Sequence, residues 1–136
     1  MSTSSSIDVA SGADSRSIFT RHPDNIVEIA CIGDITIESA GACFLELRST
    51  MQAESKYMLL LDLSQANPPF GETRHFLQER LLMLSKVMHI AVFNGNNYYL
   101  NLITQSLLGE LEGVTTSIHA NREDGLQLLQ ALPRAV

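Results

Sequence analysis

The chain has 136 residues, 45% of them apolar and 18% charged, and its formal net charge is -6. That is room for one domain built on one packed core. It excludes the basic stripe that a nucleic-acid binder needs to displace counterions: Arg74 and Arg80 come nearest to one, and Glu72 and Glu79 flank them.

No apolar run approaches the roughly 18 residues of a membrane-spanning helix. The polar N-terminus lacks the apolar stretch of a signal peptide, so a cytoplasmic protein is expected. Residues 1–16 are rich in Ser, Gly, Ala and Asp. Such a composition buries too little apolar surface to offset its ordering entropy, which predicts a flexible tail over 1–16 and a domain over 17–136.

Residues 17–21 read as a short strand, 22–25 (His-Pro-Asp-Asn) as a turn, and 26–32 as a second strand rich in β-branched residues. Together they predict an antiparallel hairpin. Gly33-Asp34 breaks the strand, and Thr36 is placed to cap a helix with Glu38 in its first turn. In that helix Ala40, Cys43, Phe44, Leu47 and Met51 fall on one face.

Residues 57–63 form a continuous apolar run, too short for a typical helix. Its lack of alternation predicts a strand covered on both faces, as in a parallel sheet with flanking helices. A Pro-rich loop over 64–71 leads to a helix over 72–87 with Phe76, Leu77, Leu81 and Leu84 inward. Residues 89–93 read as a second doubly covered strand and 94–97 as a turn. A helix over 98–111 follows, with Tyr99, Leu102, Ile103, Leu107 and Leu111 available to pack, and Gly113 ends it. Residues 115–119 are less apolar and predict a strand near a sheet edge. Asn121 is placed to cap a last helix in which Leu126, Leu129 and Leu132 face inward. The fold class is therefore α/β: a single mixed, mostly parallel sheet in the order β-β-α-β-α-β-α-β-α, with the first strand antiparallel.

This order resembles that of the STAS domain, known from bacterial anti-sigma-factor antagonists and anion-transporter tails. The resemblance covers roughly residues 17–132. It rests on the strand ending in Gly33-Asp34 before the first helix, on Leu59-Leu60-Leu61-Asp62-Leu63-Ser64 with its Asp-Leu-Ser ending, and on the strand over 89–93 with Asn121-Arg122-Glu123-Asp124-Gly125-Leu126 beyond it. The chain looks closest to the divergent branch that is also compared with CRAL-TRIO lipid-binding domains. The resemblance implies a non-catalytic protein-interaction or regulatory module in bacterial signalling, whose partner is a regulator or a kinase. The CRAL-TRIO comparison implies an alternative, a carrier of a small apolar or lipid-like ligand.

Antagonists in the family carry an Asp-Ser-Ser-Gly-like segment after Asp-Leu-Ser, and its serine is phosphorylated. Here the stretch reads Pro69-Phe70-Gly71-Glu72-Thr73, with no serine. Thr73 is the candidate phosphorylation site, and Glu72 would supply a permanent negative charge in its place.

Ligands of open α/β sheets bind beyond the carboxyl ends of the parallel strands. The loops expected there bring Asp62, Ser64, Asn67, Phe70, Glu72, Thr73, Asn94, Asn96 and Asn97 to one rim, the candidate binding surface. Turn and capping chemistry accounts for many of the same residues. No cofactor and no metal are expected: His22, His75, His89 and His119 show no ligand spacing, and there is no HExxH or CxxC. No nucleophile, base and oxyanion donor assemble into an enzyme site. Cys31 and Cys43 read as reduced core thiols. A homodimer through the hairpin edge is a further candidate.

Overall fold

The computed structural model describes residues 5–10, 15–69, 71–95 and 97–132. In chain order the elements are β1 (Ser5–Ala10), β2 (Ser15–His22), β3 (Ile26–Gly33), α1 (Ile37–Thr50), β4 (Tyr57–Ala66), α2 (Gly71–Leu82), β5 (Val87–Phe93), α3 (Tyr98–Gly109), β6 (Thr115–His119) and α4 (Arg122–Ala131). One six-stranded sheet runs β1-β2-β3-β4-β5-β6. β1–β2 and β2–β3 are antiparallel, and the remaining neighbours are parallel. The fold is thus α/β with a single mixed sheet.

The expectation of a tail over 1–16 is corrected for its described residues, 5–10 and 15–16; residues 1–4 and 11–14 lie outside them. Ser5–Ala10 pair with β2 along their whole length, and Ser15 and Arg16 already belong to β2. A polar segment needs no core of its own when a neighbouring strand offers a free row of N–H and C=O groups, because pairing satisfies its backbone. The same pairing covers the hairpin edge proposed for self-association: the outer strand is β1, not β2.

Local chemistry explains the turns. Asp24 and Asn25 both adopt positive φ, 68° and 60°, a conformation that short polar side chains tolerate. Gly33, at φ 82°, ends β3. Thr36 then caps α1 in a reciprocal box: its Oγ1 accepts from the Ser39 N–H at 3.0 Å, and the Ser39 Oγ accepts from the Thr36 N–H at 2.8 Å. The predicted helix over 72–87 stops earlier, at Leu82. Met83 and Leu84 donate to the carbonyls of Arg80 and Leu81 at 3.1 Å each, so the last turn tightens to i→i−3 bonds. This frees Val87 to pair with Tyr57.

Two cores flank the sheet. On one face, Val27, Ile29, Leu59, Ile90 and Val92 meet Leu47 and Met51 of α1, Leu81 of α2 and Leu108 of α3. On the other, Ile26, Met58, Leu60 and Ala91 meet Leu129 of α4. The segregation follows from connectivity, since successive right-handed crossovers moving one way across a sheet stack their helices on one side. α4 follows the last strand and folds back over the other face. Tyr57, Met58, Leu59 and Leu60 of β4 and Ile90, Ala91 and Val92 of β5 are buried. The doubly covered strands predicted from unalternating apolar runs are therefore present, and β6 is the edge strand expected.

Candidate functional site

The rim at the carboxyl ends of β3, β4 and β5 gathers most of the candidate residues, and their polar atoms are engaged mainly with one another. Asp62 Oδ1 accepts from the Ser64 N–H at 3.0 Å and from its hydroxyl at 2.6 Å. Asn67 Nδ2 donates to Asp34 Oδ1 at 2.7 Å, and its backbone N–H donates to the Gly33 carbonyl at 2.9 Å. Gly95, at φ 65°, presses on Ser64: a Cβ there would lie 3.3 Å from the Ser64 Cβ. Glycine suits both the positive φ and the close approach of this turn to the end of β4. Buried Asn94 donates to Asn101 Oδ1 at 3.1 Å and accepts from the Thr104 hydroxyl at 3.3 Å. Asn97 caps α3 by accepting from the Leu100 N–H at 2.9 Å.

These bonds are turn and cap chemistry, so the amides and carboxylates of the rim act first as scaffold. Glu72 and Thr73 sit in the first turn of α2, Glu72 exposed and Thr73 half-buried. Phe70 and Asn96, also predicted for the rim, lie outside the described residues. Among the described residues no group of three or more His, Cys, Asp or Glu side chains could hold a metal ion.

One expectation about α3 is reversed. Tyr99 and Leu102, predicted to pack, are 51% and 45% exposed, and Tyr98 is 75% exposed. The buried stripe is instead Leu100, Ile103, Thr104, Leu107 and Leu108. Beside the capped polar turns, the rim thus carries an exposed lip of two tyrosines and a leucine. The guanidinium of Arg74 on α2 donates to the Ser106 hydroxyl on α3 at 2.9 Å and ties the two helices behind that lip.

Beneath the rim, a cavity of about 110 Å³ lies between the sheet and helices α1, α2 and α3. Its walls are mostly apolar: Ile29, Leu59 and Val92 from the strands, Phe44, Leu77 and Leu107 from the helices. Thr104 joins this cavity to the rim through its bond to Asn94. Helix α2 buries none of its residues fully, which makes it the most loosely held wall.

The opposite face holds two polar clusters that sequence reasoning did not single out. Glu28, buried on β3, accepts from Arg122 Nε at 2.5 Å and from its terminal nitrogen at 2.6 Å, and lies 2.7 Å from His22 Nε2. Burial pushes the Glu28 carboxyl up, and the hydrogen bonds and charges of Arg122 and His22 outweigh it, leaving the group below its ordinary value of 4.5. The available signal was a lone carboxylate inside a β-branched run destined for the sheet interior, which demands a partner.

The second cluster is a chain across β5 and β6. His89 Nε2 and His119 Nε2 flank the Ser117 hydroxyl at 2.9 and 2.7 Å. Burial, helped by the charge of His119, lowers the His89 imidazole below its ordinary 6.5. The unfolded chain then binds more protons than the folded one just below pH 6.5, so stability falls on acidification through that range and is retained above it. A His89→Gln variant is expected to lose that dependence while still reaching Ser117. Urea titrations at a series of pH values between about 7 and 5 check this.

No helix among the described residues is long and apolar enough to cross a membrane. No protein-family model matches this chain, and neither does any curated protein.

Proposed function

We propose that the chain is a non-catalytic regulatory module of STAS type that binds a protein partner across the rim formed by the ends of β4 and β5 and the starts of α2 and α3. The observation that carries this reading is the exposed lip of Tyr98, Tyr99 and Leu102. Tyrosine supplies a large contact area at low entropic cost and is enriched at binding hot spots. The lip starts at the capped end of α3, where Asn97 already holds the Leu100 N–H, so little ordering entropy is lost there on docking.

In this reading the STAS strand order is that of β2–β6, with β1 as an addition at the edge. Glu72 and Thr73, in the first turn of α2, are the candidates for the role of the family's phosphorylated serine, and Asp62 and Ser64 shape the turn before them. The test is recovery of the partner, by crosslinking and mass spectrometry, on protein purified from its own host. A Tyr98→Ala/Tyr99→Ala variant is expected to lose the partner by at least about tenfold, whereas Leu45→Ala, on an exposed face of α1, keeps it. Equal recovery by both variants ends the proposal. Phosphorylation of Thr73 is tested separately: an unchanged mass after incubation with a partner kinase retires it.

The cavity favours a second reading, a binder of a small apolar ligand. Apolar cavities of this order stay dry and take up small apolar molecules: an engineered cavity of about 150 Å³ in another protein binds benzene. At about 110 Å³ the space here suits a compact molecule, or a larger one if α2 yields. Benzene is expected to raise Tm with the logarithm of its concentration once that exceeds Kd. Ala40→Leu, which fills the cavity from α1, should abolish that rise without unfolding the domain. No benzene effect on the unmodified chain removes this reading.

A further inference from the structure

We propose that His89, Ser117 and His119 form an open site for a divalent late transition-metal ion, Cu2+ foremost, on the face of the sheet opposite the cavity. The His89 Nε2 lies 2.9 Å from the Ser117 hydroxyl oxygen, and the His119 Nε2 lies 2.7 Å from the same atom. Two imidazole nitrogens thus converge on one oxygen, and imidazole suits copper, nickel and zinc. The spacing of histidines along the chain hides this. His89 stands opposite Thr115 in the parallel register, and Ser117 and His119 follow at two-residue steps on β6. Side chains two apart on a strand share a face, so the sheet gathers what the sequence separates.

The distances select the ion. With bonds of about 2.0–2.1 Å, an ion held by two donors 2.7–2.9 Å apart subtends roughly 80–90° between them. That is the angle between neighbours in a tetragonal shell, the preference of Cu2+ and Ni2+, and it is narrower than the tetrahedral angle of about 109° usual for zinc. Copper also stands at the top of the divalent affinity order. The rings are held in place beforehand. His89 is buried, and α4 backs onto His119, where a Cβ built on Gly125 would lie 3.4 Å from Cδ2, the ring atom bonded to Nε2. Fixing ligand orientation in this way favours metal binding. β6 is the last strand of the sheet, and its Ser117 and His119 are only half-buried. An ion can therefore arrive from the edge and keep water in its remaining positions. The net charge of -6 draws cations toward the chain. This inference is independent of the partner reading above, and either can fail alone.

The test titrates Cu2+ into the folded full-length chain in a non-coordinating buffer. Calorimetry should show saturable binding, and electron paramagnetic resonance should show two coordinated nitrogens. His89→Gln and His119→Gln should each weaken binding by at least about tenfold, the scale on which losing even an outer-shell partner is felt. His75→Gln should leave it unchanged. His75 is the fair competitor, since it is exposed on α2 and lies 3.0 Å from Glu79 one turn on. A measurement on the unmodified chain needs no variant to fold: substoichiometric Cu2+ should erase the NMR ring-proton signals of His89 and His119 before those of His22 and His75. Absence of binding overturns the proposal. So does binding that His75→Gln removes, or that leaves the His89 and His119 ring signals intact.

Discussion

Truncating Leu60 to alanine is expected to destabilise the domain by about 3 kcal/mol and to lower its Tm by about 10 °C. Leu60 is fully buried at the centre of β4, on the face covered by α4, among Ile26, Met58, Ala91 and Leu129. Removing its terminal carbons costs the transfer free energy of those atoms and leaves a void to the extent that the surroundings cannot collapse. Here collapse is partial. α4 rides close on the sheet, since a methyl group built on Gly125 would lie 3.0 Å from the Leu60 Cδ1. The helix is only 10 residues long and can settle slightly, which keeps the loss near the middle of the usual range of about 2–5 kcal/mol. Urea unfolding measures the difference, with exposed Leu45→Ala as a control expected to change stability by under about 0.5 kcal/mol. A loss below about 1 kcal/mol would mean that this face of β4 is wet and that the strand is not sandwiched.

The sandwiched strands were legible because hydrophobic burial leaves a simple trace. Residues 57–63 show no alternation because both faces of β4 are covered, and Thr36 and Asn121 announce their helices because a cap must offer an oxygen to orphan N–H groups. What escaped was less local. β1 forms by backbone pairing with a neighbour, and that interaction writes almost nothing into side-chain pattern. The facing of α3 turned on side chains left out of the predicted inner face: Leu100, Thr104 and Leu108 turn inward with Ile103 and Leu107, which leaves Tyr99 and Leu102 outside. Likewise, Asn94, Asn97, Asp62 and Asn67 gather at the rim as expected, while the bonds they make there are internal ones. Residue type alone could not separate a capping asparagine from a ligand-binding one.

The Glu28–Arg122 pair was invisible for the same reason, its members being 94 residues apart, and it predicts the second large effect. Glu28→Gln is expected to cost about 2–3 kcal/mol at pH 7. The carboxylate accepts two bonds from one guanidinium and a third from His22, and a neutral amide can replace only part of that set. Removing one member of a fully buried ion pair typically costs about 3–5 kcal/mol. The side chain of Glu28 is only 8% exposed, but that of Arg122 is 34% exposed, so the abandoned guanidinium can turn to water and the loss is smaller. The pH dependence separates this from ordinary packing damage. The folded carboxyl sits below its ordinary 4.5, so its stabilisation is complete well above pH 4.5 and drains away as pH falls through the folded value, where both states become protonated. The stability gap between the unmodified chain and its Glu28→Gln variant should therefore stay level from about pH 7 to about pH 5.5 and narrow on further acidification to about pH 3.5. A gap that stays constant across that range would show that the amide harms packing alone, and that α4 is not held to the sheet by charge.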